Sequence, residues 1–164
     1  MLAKVHSGAV YGIDAYPVEI EVNEGRGDPQ TIIVGLPDAL RLRSGQAAVK
    51  ESKDRVQTAI INSEFEMPKG RLTINLAPAD IKKEGPVFDL PIAIGILATQ
   101  GFIPLEALSE YGMIGELALS GAVRRARGVL PITMAKKRIS LFAFRNLPYY
   151  TCLVFSSVPY LSVP

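Results

Sequence analysis

Residues 1–24 contain two strand-like runs, and the second alternates between apolar and polar positions, the pattern of a strand with one buried face. The two runs, at 3–10 and 15–22, predict a pair of strands joined by a turn at Gly12. A short, wholly apolar run at 31–34 predicts a third strand, which stops at Gly35. The chain therefore opens with strands.

The segment 47–62 has the period of an amphipathic helix, with an apolar face and a polar face. Two opposite-charge pairs four residues apart lie on the polar face, and we expect them in solvent: Lys50/Asp54 and Glu51/Arg55.

Further along, the pattern predicts a strand at 71–76 and a helix at 90–99 that is apolar nearly all round, with Pro91 in its first turn. A short helix near 105–110, a strand pair within 113–123 and a helix from about Val129 follow. Because strands and helices alternate, the predicted fold class is α/β or α+β, a mixed sheet with packed helices.

Composition narrows the function classes. The chain has 18 basic and 16 acidic residues among 164, a net charge of +2, so bulk charge does not favour nucleic-acid binding. The single cysteine, Cys152, and single histidine, His6, exclude an internal disulfide framework and a Cys/His zinc site. No apolar leader opens the sequence, and we expect a cytoplasmic protein.

Three motifs of common enzymes are missing. The sequence contains no G-x-x-x-x-G-K-[ST] loop, no G-x-S-x-G elbow and no H-E-x-x-H helix. Without a loop whose amides cradle phosphates, we expect this chain to bind no ATP and to need no cofactor or metal of its own.

Four blocks in order carry a family resemblance: Gly35-Leu36-Pro37-Asp38, the run at 49–56, Asn75-Leu76-Ala77-Pro78-Ala79-Asp80, and Phe88-Asp89-Leu90-Pro91. They resemble the N-terminal domain of the ComM/YifB family of magnesium-chelatase-like AAA+ ATPases. The resemblance implies a fold like the Lon proteolytic domain (ribosomal S5 domain 2-like). It also implies a hexameric helicase that migrates DNA branches in natural transformation. Its partners would be DNA, its own AAA+ module and other subunits.

The resemblance makes residues 1–137 a non-catalytic accessory domain, since ATP and Mg²⁺ would serve only the AAA+ module. Between the first two blocks the family has about two residues, so we expect an inserted surface loop at about 40–47. Residues 138–164 depart from the family as an acid-free, apolar tail that contains three prolines. We expect the aberrant end of a truncated gene product there, and no membrane span.

A peptidase is disfavoured. Lon uses a serine in a G-P-S segment and a lysine on the helix after a G-E-x-x-x-x-G strand pair. Gly85-Pro86-Val87 puts a valine at the serine position, and 130–132 offers no lysine. A residual Lon-type peptidase and a non-functional product remain the alternatives to the accessory domain.

The loop after the fourth strand carries the family motif residues Asp80, Lys83, Glu84, Gly85, Pro86 and Asp89. Its three carboxylates suit Mg²⁺ in type. We favour another interpretation, in which Asp80 caps a turn, Lys83 is solvated and Asp89 begins the buried helix near its positive dipole.

A basic cluster, Arg124, Arg125 and Arg127, precedes the last predicted helix. These arginines are a candidate contact for DNA phosphates, although exposed arginines in a turn are more often only solvated.

Overall fold

Four strands form one mixed sheet. In the computed structural model, which describes residues 1–11, 14–35, 43–80, 83, 85–126 and 132, the strand order is β1-β2-β4-β3. The strands are β1 (Leu2–Tyr11), β2 (Asp14–Gly25), β3 (Gln30–Val34) and β4 (Arg71–Ala77). The pairs β1–β2 and β2–β4 are antiparallel, whereas β3 and β4 are parallel. The parallel pair is joined by the long helix α1 (Arg43–Asn62).

The alternation in β1 and β2 sorts their side chains onto two faces. Val18, Ile20 and Val22 are buried on the face that also carries Val5. The opposite face is polar, and Lys4 forms ion pairs there with Glu19 and Glu21 at 3.1 and 3.0 Å. One face of the sheet therefore builds the core and the other meets solvent.

Helices cover the apolar face. α2 (Asp89–Thr99) follows a 3-10 turn at Pro86–Phe88 and packs on β1 and β2, with Gly95 close to Val22. Almost every residue of α2 is buried, as its apolar sequence predicts. The short α3 (Leu105–Leu108) and the hairpin β5 (Glu116–Leu117) and β6 (Val123–Arg124) complete the described elements.

The predicted mixed α/β class is confirmed, and each predicted strand has its counterpart. The start of α1 differs, because this helix begins at Arg43 rather than at residue 47. Residues 43–47 are therefore helical and not a loop as predicted, whereas the insertion itself stays a prediction. That stretch has no proline, and a single Gly45 costs an otherwise helical segment only about 1 kcal/mol.

Other predictions fall outside the described residues: the rest of the insertion (40–42), the turn at Gly12, and the tail at 138–164. Of the helix predicted from about Val129, only Ile132 is described, and its side chain is buried. Across the part of the chain that the structure describes, no helix is both long and apolar enough to cross a membrane.

Candidate functional site

A cavity opens where the 3-10 turn, the end of β1 and the small hairpin meet. The turn is fixed to the chain before β5, because Gly115 N donates to Val87 O at 2.8 Å and Leu90 N donates to Gly115 O at 3.0 Å. Val87, which takes the position of the Lon serine in the sequence comparison above, lines this cavity.

The cavity has a volume of about 680 Å³. Its described lining comes from five separate stretches of chain: Gly8, Ala9, Val10, Gly85, Pro86, Val87, Glu116, Arg125, Ala126 and Ile132. None of these side chains carries a hydroxyl, a thiol or an amine. The described walls therefore offer no nucleophile and no lysine base.

Two charged side chains line the cavity. Glu116 is paired with Arg124, whose Nη1 lies 3.3 Å from Glu116 Oε1. Arg125 is exposed and forms no ion pair among the described residues. Of the two charged side chains in the described lining, only Arg125 therefore has no ion pair with a described residue.

Asp89, the first residue of α2, directly follows the 3-10 turn and has a fully buried side chain. Ser52 Oγ donates to its Oδ1 at 2.7 Å, and Arg55 Nε donates to its Oδ2 at 2.8 Å. The backbone N of Leu117 also approaches Oδ2, at 3.4 Å. One carboxylate thus ties α1 and β5 to the start of α2, where the helix dipole also favours a negative charge.

The guanidinium of Arg55 serves two carboxylates, because its Nη1 also contacts Glu51 at 2.5 Å. The hydrogen bond with Asp89 is the main reason that the pKa of Arg55 is raised above its ordinary value. The predicted Glu51/Arg55 pair is present, but Arg55 is only 20% exposed and its inner side faces the core.

Lys83 is buried as well, which makes the expectation of a solvated lysine wrong. Its ammonium donates to Gly35 O at 3.0 Å and to Pro78 O. Burial lowers the pKa of Lys83, partly offset by the nearby charge of Asp80. Lys83 thereby ties the loop after β4 to the end of β3.

Gly35, at the end of β3, is required by close packing. Its φ is +78°, and a Cβ there would lie 2.3 Å from Leu76 O and 2.5 Å from Asn75 Oδ1. No larger residue fits this position without moving backbone.

The structure separates the carboxylates that the sequence suggested for Mg²⁺. Asp80 is exposed, Asp89 is buried against Arg55, and Glu84 lies outside the described residues. Within the described ranges, no three His, Cys, Asp or Glu side chains are grouped as metal ligands. Gly85 and Pro86 line the cavity instead.

The basic cluster is divided too. Arg124 is engaged with Glu116, Arg125 borders the cavity, and Arg127 is outside the described residues. Sequence reasoning missed the contact of Ser52 and Arg55 with Asp89. An acid at the head of an apolar helix was the signal, because a buried carboxylate needs a cationic or donor partner.

Comparison with known proteins places these features in a family. The model of the ChlI subunit of Mg-chelatase matches residues 18–144. The uncharacterised protein YifB of Escherichia coli (strain K12) is 46% identical over 129 residues, which are 79% of this chain and 24% of YifB. The competence protein ComM of Haemophilus influenzae is 44% identical over 137 residues, 84% of this chain and 25% of ComM.

A more distant similarity links the chain to the Lon protease of Bacillus thuringiensis, at 27% identity over 130 residues, 79% of this chain and 16% of that protease. The chain spans about a quarter of the length of YifB and ComM. Since the family model covers most of its residues, the chain belongs to the family of the ChlI subunit of Mg-chelatase, with ComM and YifB among its relatives.

Proposed function

We propose that this chain is the accessory domain of a ComM/YifB-type AAA+ protein that acts on branched DNA, and that it works by binding another part of that protein rather than by catalysis. The similarity to ComM and YifB supports the family setting. The observation that carries the binding role is the cavity, which has Val87 in its wall and no nucleophile among its described lining residues.

The partner in this proposal is polypeptide rather than DNA. A DNA site gains affinity from several arginines or lysines that each neutralise a phosphate. Here Arg124 is neutralised by Glu116, which leaves Arg125 as the one unpaired cation among the described lining residues. The AAA+ module of the same protein is the partner that the family setting supplies.

A reconstitution experiment tests this role. ComM of Haemophilus influenzae, made without the 137 residues that this chain matches, is mixed with the full 164-residue chain and passed through a sizing column. We expect the two to elute together, and the ATPase rate of the shortened ComM to change when the chain is added. Separate elution with an unchanged rate contradicts the accessory role.

A peptidase assay tests the absence of catalysis. The full chain is incubated with fluorescent casein beside an authentic Lon protease, and we expect no cleavage by the chain. Any cleavage by the chain would contradict the binding-only role, and the variants Ser52→Ala and Ser7→Ala would then show whether either serine is the nucleophile.

A further inference from the structure

β1 is an edge strand whose outer edge is only partly paired. The backbones of Met1 and Glu24 exchange two hydrogen bonds, Glu24 N to Met1 O at 2.9 Å and Met1 N to Glu24 O at 2.7 Å. In an antiparallel pair such residues alternate with ones whose backbone groups point away from the partner. Odd-numbered residues of β1 therefore bond to β2, and even-numbered ones face outward.

The contact at His6 agrees with this parity. Met113 N donates to His6 O at 2.8 Å from the outer side of β1, and His6 forms a parallel bridge with Gly112. Beyond that bridge the neighbouring chain turns away to pair with Val87. Gly8 and Val10, which line the cavity, are left with outward N–H and C=O groups that no described residue pairs with.

We propose that the cavity is a docking site for an acidic polypeptide segment in extended conformation, which adds to β1 beside Gly8 and Val10 and places a carboxylate on Arg125. Alternate outward donors and acceptors on a strand match the backbone of another strand. The charges agree, because Glu116 is already paired, whereas Arg125 forms no ion pair within the part of the chain that the structure describes. The segment would continue the strand that Tyr111–Met113 begins.

This inference rests on the proposed function in one respect. Because no nucleophile lines the described walls, the bound segment is held and not cut. A nucleic acid fits less well, since its phosphates accept hydrogen bonds but cannot donate them to the C=O groups of Gly8 and Val10.

Two pairs of variants test the backbone and the charge separately. Val10→Pro removes the outward N–H without touching the β1–β2 hydrogen bonds, which belong to the odd-numbered residues, and Pro is tolerated on edge strands. Val10→Ala is its control, because it shortens the side chain and keeps the N–H. Arg125→Gln removes the unpaired charge, and Arg124→Gln is the control for loss of a paired one.

The probe is a fluorescein-labelled octapeptide that alternates Glu and Val, titrated with the full chain and followed by fluorescence anisotropy. We expect Val10→Pro to weaken binding about fivefold and Arg125→Gln about tenfold, with each control within about twofold of wild type. Circular dichroism checks that each variant is folded.

The peptide itself supplies a test that leaves the protein unaltered. N-methylation of alternate peptide bonds removes the N–H donors along one edge of the added strand. Two such peptides can be made, one methylated along each edge. We expect one methylated peptide to lose binding at least tenfold while the other keeps it.

Four outcomes overturn the docking site: no binding of the acidic peptide, equal binding of a Lys/Val octapeptide, equal binding of both methylated peptides to the unmodified one, or full competition by an eight-nucleotide oligothymidine. Mass spectrometry of the recovered peptide separates the two proposals. A bound but cleaved peptide contradicts the binding-only function, whereas an intact peptide that does not bind contradicts the docking site alone.

Discussion

Asp89 holds three elements together through one carboxylate. Its partners are Ser52 and Arg55 on α1 and the backbone N of Leu117 in β5. With the side chain fully buried, the charge is stabilised by these donors and not by water. Removing one partner of such a pair costs more than the pair contributes, because the other charge is left without compensation.

We therefore expect Asp89→Asn to lower the free energy of unfolding by about 2–3 kcal/mol. Asparagine keeps the shape of the side chain but carries no charge to pair with Arg55. Urea unfolding of wild type and variant measures the difference. Asp54→Asn, at an exposed position on α1, is the control and should change stability by less than about 0.5 kcal/mol. Equal losses for both variants would show that the Asp89 charge has no special role.

Lys83 leads to a prediction about pH. Its folded pKa is lowered by burial, so the folded state releases the proton at a lower pH than the unfolded state, whose value is near 10.5. At a pH below both pKa values, the folded and unfolded states are both protonated and the burial penalty is fully present. As the pH rises through the folded pKa, the unfolded state binds more protons and stability increases.

The measurement is the difference in the free energy of unfolding between wild type and Lys83→Met, taken at pH 7, 8.5 and 10. We expect wild type to gain on the variant as the pH rises, while the exposed Lys69→Met shows no such trend. A constant difference across this range would mean that burial does not lower the pKa of Lys83.

Asp89 and Lys83 show which properties of a single residue can be predicted from the sequence and which depend on the fold. The position of Asp89 at the head of a buried helix follows from Pro91 and the apolar run behind it. Its partners do not follow, because Arg55 lies 34 residues earlier in the chain and only the packing of α1 on α2 brings it near. Lys83 stands among charged residues in the sequence, and its burial depends on the loop around it.

At the scale of elements, the hydrophobic period of the sequence predicted which segments form strands and helices. It did not predict the exact residues at which they begin and end. The alternation in β2 arises because one face of the strand is buried, and the apolar run of α2 arises because nearly the whole helix is buried. Both patterns can be read directly from the sequence. The start of α1 at Arg43 was not predicted, because the residues at 43–47 do not by themselves specify a helix. Their conformation depends on the residues around them.

The hairpin of β5 and β6 is attached to the end of α1. Asn62 Nδ2 donates to Leu119 O at 2.7 Å, and Gly121 has φ +83°. A Cβ on Gly121 would lie 2.0 Å from Ser63 Oγ. A larger residue at this position would therefore have both the backbone strain of a positive φ and a steric clash with Ser63.

A pair of glycine variants separates strain from collision. Gly101 has φ +84° with open space around it, so Gly101→Ala should cost only the backbone strain, about 1 kcal/mol. Gly121→Ala should cost about 2 kcal/mol or more in urea unfolding, because the new methyl also meets Ser63. Adding Ser63→Ala should recover part of that excess. Equal losses of stability in Gly101→Ala and Gly121→Ala would show that the hairpin moves to accommodate the new methyl at no added cost.

At the scale of the whole molecule, the cavity is the feature that sequence reasoning did not reach. It joins residues 8–10, 85–87, 116, 125–126 and 132, and the first three stretches meet because β1 lies at the sheet edge and the 3-10 turn is fixed to Gly115. That Val87 stands where the Lon motif G-P-S would have its serine was an expectation from the sequence. That the outer edge of β1 faces the same cavity could be established only from the register of β1 and β2.

The extent of the folded unit gives a last prediction. Ile132 is buried and would lie against any Cβ placed on Gly8, so the folded unit reaches at least to this residue. Residues 139–164 contain no acid and three prolines, a composition that does not supply the alternating or amphipathic period of a packed element. Brief chymotrypsin treatment should therefore cut first after Leu141, Phe142 or beyond, and leave a fragment that begins at Met1. Intact mass measures its end, and urea-unfolded chain, cut throughout, is the control. Digestion of residues 1–137 before the tail would mean that the tail is packed into the fold.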